Sequence, residues 1–318
     1  MQTNLPLQFE GVGDARLPAG PLHLAIGMFD GVHLGHRAVI GPAVRAARAT
    51  GGVAAVLTFW PHPSALFRPQ DPTRLIQDPA TKAEVLATIG IDAVITERFT
   101  TEFAQLEAEA FLPWLQQRLP SLVAVYVGEN FQFGHRRRGN AELLARSGAA
   151  LRLEVHTARR LTVNDEPASS TRIRSHLTAG EIEAANALLG YRYFARGVVA
   201  TGKRLGRTLG FPTLNLTWSP ELRPRFGVYA VEVVGPDGKA RLPGVANYGL
   251  RPTVENATEP KLEVHLLGAC PYDAGDRITV EWRHFLRPEM KFAGLDALRA
   301  QITADRTEAE RLLAPRPA

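Results

Sequence analysis

Leu22-His23-Leu24-Ala25-Ile26-Gly27-Met28-Phe29-Asp30-Gly31-Val32-His33-Leu34-Gly35-His36 holds a strand signal, a glycine-rich turn and the start of a helix in one run. Leu22–Ile26 is apolar and short enough for a buried strand, and an amphipathic pattern continues from about Leu34 through Ala49. Glycines and two histidines therefore fall on a strand-to-helix turn. There a backbone can come close to phosphates, and a helix N-terminus can face them. His33 and His36 are three residues apart, so on a first helical turn they share a face. The pattern His-x-Gly-His suits a site that grips a nucleoside triphosphate without a Walker lysine, with Gly27, Phe29, Asp30 and Gly35 around it. A zinc site is the rival. The chain has one cysteine, Cys270, so zinc would need histidine and carboxylate ligands alone.

Strand and helix signals alternate outward from this run. Val53–Phe59 reads as a strand, and Asp78-Pro79 as a helix cap followed by proline at the first helical position. Ile91–Thr96 and Leu122–Gly128 read as further strands. Thr101–Leu119 reads as a helix that Pro113 bends or splits, and Asn140–Ser147 as another helix. The expectation is an α/β domain with a doubly wound, mostly parallel sheet that binds its ligand at the strands' carboxyl ends. The pattern changes near Gly190. Beyond it come short strands, the turn Gly235-Pro236-Asp237-Gly238 and a closing helix near Leu295–Leu313, which together suggest an antiparallel β-barrel. The domains expected are 1–187 and 188–318.

Three further segments of the first domain carry polar chemistry. Two prolines flank His62 in Thr58-Phe59-Trp60-Pro61-His62-Pro63 and fix its backbone. Gly128-Glu129-Asn130-Phe131-Gln132-Phe133-Gly134 is followed by Arg136, Arg137 and Arg138, which oppose the dipole of the next helix unless an anion binds there. In Ser169-Ser170-Thr171-Arg172-Ile173-Arg174, a hydroxyl at a helix start is explained by capping, but the arginine one turn on is not.

In the second domain, Gly197–Lys203 imitates a P-loop. Arg204 stands where magnesium would need Ser or Thr, and no helical pattern follows, so a P-loop is rejected. In Gly210-Phe211-Pro212-Thr213-Leu214-Asn215-Leu216 an extended chain puts Thr213 and Asn215 on one face. Two neutral oxygens there can help hold a magnesium–nucleotide complex, although polar outward positions on a β-edge look the same. Lys261–Leu267 alternates, with Leu262, Val264 and Leu266 facing the core and Glu263 and His265 on the other side.

Taken in order, these segments resemble the bacterial bifunctional riboflavin kinase/FMN adenylyltransferase family over nearly the whole chain. Its His-x-Gly-His and Ser-Ser-Thr-x-x-Arg signatures stand at His33–His36 and Ser169–Arg174. Its Pro-Thr-x-Asn hallmark stands at Pro212–Asn215, with Leu214 in place of the usual alanine. Gly268 replaces a usual aspartate, and Asp273-Ala274-Gly275 replaces a usual Leu-Tyr-Gly. The resemblance implies a nucleotidylyltransferase domain over 1–187 and a riboflavin kinase barrel over 188–318. In the first, His33, His36 and Arg174 would act on the triphosphate. Asn130, Ser170 and Thr171 would line the nucleotide, and His62 and Pro63 would lie toward the flavin. In the second, Lys203, Gly206, Thr213 and Asn215 would hold Mg-ATP, with Thr213 and Asn215 as ligands to Mg2+, and Glu263 would be the base. ATP is then the co-substrate, and riboflavin, FMN and FAD are substrates and products.

Two other readings share these features. One keeps the adenylyltransferase and makes the barrel a flavin-binding regulator. The other is a basic RNA-binding protein built on Arg136–Arg138, a class without aromatic support here. The 318-residue chain carries a net charge of +5, which suits anionic ligands. It shows no apolar run of membrane-spanning length and no secretory pattern at Met1-Gln2-Thr3-Asn4. One cysteine excludes a disulfide framework. A cytoplasmic enzyme of small molecules, with no nucleic-acid or membrane partner, is expected. Self-association is unspecified.

Overall fold

Leu22–Ile26 is a strand buried at all five positions. In the computed structural model it is an inner strand of a six-stranded sheet in the first of two units, Met1–Ser170 and Thr171–Ala318. The structure describes residues 5–201, 211–236, 238, 240–250 and 259–314. In the first unit β1 is Leu7–Phe9, β2 Leu22–Ile26, β3 Val53–Trp60, β4 Ala93–Arg98 and β5 Leu122–Gly128. β6 and β7 are the two-residue strands Gln132–Phe133 and Gly139–Asn140, and β8 is Glu154–Ala158. The sheet order is β1-β4-β3-β2-β5-β8, and all its pairings are parallel.

Helix α1, Leu34–Thr50, covers one face, packing on β2, β3 and β5. Leu22, Leu24 and Ile26 point to the other face. There they join Phe111, Leu112 and Leu115 of α5, Ala108–Arg118, and Leu144 of α6, Ala141–Ala150, in one apolar cluster. This is the expected doubly wound α/β arrangement. The chain order runs outward from β2 through β3 and β4 on one side and through β5 and β8 on the other, so the order reverses between β2 and β5. The crevice at the carboxyl ends of that pair is where such sheets take ligands.

Short helices complete the unit: α2 Pro63–Phe67, α3 Pro79–Thr88 and α4 Thr101–Ala104. Asp78 caps α3 as expected, accepting from Thr81 N at 2.8 Å. The helix expected over Thr101–Leu119 is two helices, and the break is not at Pro113. Leu106 N bonds back to Phe103 O, ending α4, while Pro113 lies inside α5. A two-residue ladder, β9 Thr162–Val163 with β10 Glu166–Pro167, closes the unit.

Helix α7, Ser170–Ala179, begins at the last residue of the first unit and continues into the second, where α8, Ile182–Leu189, follows. A closed antiparallel barrel follows, formed by β11 Phe194–Ala200, β12 Leu214–Leu216, β13 Gly227–Val234, β14 Arg241–Gly249, β15 Lys261–Leu266 and β16 Arg277–Arg287. Helix α9, Leu295–Leu313, ends it. Strand β16 is the longest of the barrel's strands, eleven residues from Arg277 to Arg287. The barrel core is aromatic: Tyr229, Tyr248 and Trp282 are fully buried, and Trp282 meets Tyr229 edge-on at 4.4 Å between ring centres. Asn186 of α8 ties helix to barrel by accepting from Tyr193 N at 2.7 Å and donating to Trp282 O at 2.9 Å.

Two buried polar arrangements carry measurable consequences. In the first unit His23 lies between Tyr126 Oη and Thr50 Oγ1, each at 3.0 Å. Thr50 Oγ1 donates to Ala46 O, so it accepts from His23 Nε2, and Nδ1 is left to accept from Tyr126. The neutral ring is satisfied. Burial pushes its pKa below the ordinary value, against the pull of Glu154 and helped by His156. As pH falls through about 6.5, the unfolded chain takes a proton that the folded chain resists, so stability falls. The melting temperature of the first unit is expected to drop between pH 7 and pH 5, and to drop less in His23→Gln, by scanning calorimetry.

In the second unit Arg287 grips Asp305 through two bonds, Nε to Oδ1 at 2.8 Å and Nη2 to Oδ2 at 2.7 Å, with Gln301 Nε2 adding a third bond to that carboxylate. The two side chains are 15% and 6% exposed, so removing one strands a buried charge. Asp305→Ala is expected to destabilise the barrel unit by about 3–5 kcal/mol in urea unfolding. The double change Arg287→Met/Asp305→Leu should cost much less.

Candidate functional site

The turn between β2 and α1 has unusual backbone geometry. Phe29 and Val32 have φ of 48° and 36°, and Gly31 has 82°. Left-handed backbone is uncommon for any residue but glycine, and more so for a β-branched valine. Side chains around the turn fix it. Asp30 is buried, and its carboxylate accepts from Ile76 N at 3.0 Å and Gln77 N at 3.2 Å. Ser170 Oγ donates to Asp30 O at 2.8 Å, and Thr58 Oγ1 to Met28 O at 3.0 Å. Phe29 is also buried. Its ring lies so near Gly27 that a Cβ there would sit 3.0 Å from it, tighter than ordinary contact, so a larger residue at 27 would press on the ring.

The two histidines come together on this turn. His33 is the N-cap of α1 rather than a first-turn residue, and its Nδ1 accepts from His36 N at 3.3 Å. Nδ1 therefore carries no proton in that bond, which leaves Nε2 as the donor. The two rings stack at 3.6 Å between centres, and Phe29 meets His36 edge-on at 5.3 Å. A Cβ on Gly35 would stand 3.0 Å from the His33 ring and 3.2 Å from Ala168 O, so a side chain between the histidines would crowd that ring.

The other expected residues of the first unit stand at the same carboxyl edge of the sheet. Asn130 is exposed just past β5. His62 caps α2, with Nδ1 at 2.8 Å from Ser64 Oγ, and Pro63 is the first residue of that helix. Phe67, at the end of α2, is 62% exposed and meets Phe99 edge-on. Arg136 and Arg137 are exposed at φ of 52° and 58°, while Arg138 pairs with Glu107 at 3.6 Å. These arginines lie outside α6, which Asn140 caps by accepting from Leu143 N at 2.9 Å. Thr171 and Arg174 follow Ser170 on α7, at the start of the second unit.

On the barrel, Asn215 of β12 is directly opposite Glu263 of β15, and Glu263 is directly opposite Asn247 of β14. Residues paired this way across a sheet have Cβ atoms about 5 Å apart. Leu214, Leu216, Leu262 and Val264 are buried, so the polar row lies on the outer face, as alternation requires. Thr213 is exposed one residue before β12. His265 Nδ1, on the same face as Glu263, contacts Pro212 O at 2.9 Å. Leu214 packs inward where the family has alanine. A Cβ on Gly268 would meet open space, and Gly275, at φ 101°, closes the turn into β16. Lys203 and Gly206 lie outside the described residues, as do Gly202 and Arg204. Gly197–Ala200, the front of the P-loop look-alike, is part of β11.

Sequence reasoning missed Lys82. It is 7% exposed, and its Nζ donates to Thr58 Oγ1 at 2.9 Å and to Met28 O at 3.3 Å. The only trace in the sequence is a lone lysine one turn past the Asp78 cap, among Ala83, Val85 and Leu86. The structural ties of Asp30 and Ser170 were equally hidden, because they join segments far apart in the chain.

Residues 18–172 match the family model for FAD synthetase and residues 189–313 that for riboflavin kinase. Curated relatives named bifunctional riboflavin kinase/FMN adenylyltransferase include those of Listeria monocytogenes, 37% identical over 89% of each chain, and Escherichia coli K12, 38% identical over 89% of this chain and 90% of the relative. The Bacillus subtilis relative is 36% identical over 91% of each. A solved structure from Streptococcus pneumoniae, titled a macrolide-efflux protein, aligns over 96% of this chain and 99% of its own, with TM-score 0.85 and 27% identity. No helix among the described residues is long and apolar enough to cross a membrane. The fold and the matched models define a two-module transferase, with an α/β nucleotidylyltransferase module followed by a kinase barrel. The chain belongs to the bifunctional riboflavin kinase/FMN adenylyltransferase family.

Proposed function

We propose that the family's two reactions divide between the two parts of this chain, with the functional boundary near 187/188. The chain phosphorylates riboflavin to FMN and adenylylates FMN to FAD. Helix α8, Ile182–Leu189, runs across that boundary, and it lies with α7 from Thr171 onward in the second compact unit. The observation that carries the assignment is the pairing of stacked histidines at the sheet's switch point with a polar row of asparagine and glutamate on the barrel.

In the kinase reaction the riboflavin 5′-hydroxyl attacks the γ-phosphorus of ATP, the bond to the β-phosphate oxygen breaks, and ADP leaves. Glu263 orients the hydroxyl and takes its proton. Thr213 and Asn215 offer neutral oxygens beside that carboxylate. No cluster of three or more His, Cys, Asp or Glu side chains able to hold a metal ion occurs among the described residues. The donor set fits Mg2+ carried in with nucleotide phosphates, which supply the charge. Lys203 and Gly206 are proposed to contact the same nucleotide.

In the second reaction a phosphate oxygen of FMN attacks the α-phosphorus of ATP and pyrophosphate leaves. No protein nucleophile is needed, so catalysis is positioning and charge stabilisation. His33, His36 and Arg174 are assigned to the triphosphate, and Gly27 and Gly35 give it room. Asn130, Ser170 and Thr171 line the nucleotide, and Phe29 and Asp30 act by shaping the turn. His62 and Pro63 face the flavin, and the exposed Phe67 ring suits its plane. Cytoplasmic action on small molecules, with no nucleic-acid partner, completes the reading.

Product analysis tests it. Purified protein with riboflavin, ATP and Mg2+ is expected to make FMN and then FAD. His36→Ala should lower FAD formation by roughly a hundredfold and let FMN accumulate. An unchanged rate would refute the histidine assignment. Glu263→Gln should fit on the outer barrel face without repacking. It should cut FMN formation by roughly a hundredfold while supplied FMN is still adenylylated. Thr213→Ala or Asn215→Ala should instead raise the KM for Mg-ATP in the kinase reaction.

A further inference from the structure

A buried lysine lies beneath the Gly27–His36 turn, and neither reaction as written uses it. Burial is expensive for an ammonium group. It lowers the Lys82 pKa to about 8, with the Asp30 carboxylate opposing that shift. Lys82, Thr58 and the Met28 carbonyl form a closed triangle. Thr58 Oγ1 gives its proton to Met28 O, so it must accept from Lys82 Nζ, which also donates to Met28 O. Two donors thus fix one carbonyl from below. The Met28–Phe29 peptide is trans, so the Phe29 N–H points away from Lys82. That N–H has no hydrogen-bond partner among the described residues.

The turn needs such a hold. Phe29 and Val32 are left-handed without being glycine, and backbone of this kind persists only where its surroundings over-determine it. Asp30 and Ser170 fix the middle of the turn, while Lys82 and Thr58 fix its entry from β2. We infer that Lys82 is a positioning residue for adenylyl transfer. It holds the Met28–Phe29 peptide so that the Phe29 N–H and the stacked histidines face the triphosphate. This rests on the reading of the first unit as the adenylylating module. Lys82 itself touches no reacting atom. It acts through the turn, where a misplacement of about 1 Å can cost on the order of a hundredfold in rate.

The test uses the full-length chain with FMN and ATP supplied, and compares Lys82→Met, Thr58→Val and His36→Ala with wild type. Lys82→Met keeps length and apolar volume but removes the ammonium donor. It is expected to lower the kcat of FAD formation roughly ten- to hundredfold. The KM for FMN should stay within about twofold, and riboflavin phosphorylation by the same preparation should be unchanged. Thr58→Val should act in the same direction by a smaller factor. A folded Lys82→Met protein with wild-type kcat overturns the inference. So does a loss carried only by a raised KM. If Lys82→Met fails to fold, Thr58→Val decides: a lowered kcat supports the inference and a normal one overturns it. If His36→Ala also makes FAD at the wild-type rate, the site reading itself has failed. If His36→Ala is crippled and Lys82→Met is not, only the role of Lys82 has failed.

Discussion

The passage of β2 into α1 through left-handed backbone is the constraint on which the first unit depends. A parallel strand must deliver its chain to a helix on the sheet face within a few residues. Here that path runs through Phe29, Gly31 and Val32 at positive φ. The resulting turn stands at the β2–β5 switch point, with the N-terminus of α1 beside it. The strain is not dispersed into a longer loop. It is held by the side chains of Thr58 on β3, Lys82 on α3 and Ser170 at the start of α7, and by the Ile76 and Gln77 backbone N–H groups that donate to the Asp30 carboxylate. A buried lysine, a buried aspartate and a buried threonine under one turn would be a poor way to stabilise a fold, since apolar residues do that at lower cost. They make sense as the means of keeping one backbone shape.

The barrel solves a different problem with a simpler rule. In a closed antiparallel sheet every side chain points in or out with period two. The aromatic interior around Trp282 fixes which residues point in, so Asn215, Glu263 and Asn247 must point out, and strand register sets them side by side. No strained backbone is needed to bring an amide and a carboxylate within reach of one ligand. Long charged ties, such as Arg287 with Asp305, lie away from this row and brace α9 against β16.

Much of this was legible in the sequence because it depends on local periodicity. The alternation of Leu262, Glu263, Val264 and His265 gave the outer face of β15 correctly, and the apolar run of Leu22–Ile26 gave an inner strand. The break between α4 and α5 was misplaced because proline draws the eye, whereas a helix can also end where its chain turns back on itself, as at Leu106. β1 was missed because three residues carry too little pattern to stand out. The pins on the Gly27–His36 turn were illegible for another reason. Asp30 meets Ile76, Ser170 meets Asp30, and Lys82 meets Met28 and Thr58, all contacts between distant segments that periodicity does not encode.

Two transfers at phosphorus can share one chain when each proceeds by in-line attack, which needs no protein nucleophile. In-line attack at phosphorus asks the protein for placement and charge rather than for a covalent intermediate. Placement is what a stiff scaffold supplies. In the first unit stiffness comes from a turn over-determined by buried hydrogen bonds, and in the second from closure of the barrel. The two devices should respond differently to substitution. On the barrel's outer face a side chain can change while the backbone stays, so its effects remain with the atoms replaced. Beneath the Gly27–His36 turn, Lys82 and Thr58 bond the backbone itself, so a change there should act through the turn. The residues that govern adenylyl transfer should therefore extend further from the substrate than those that govern the kinase.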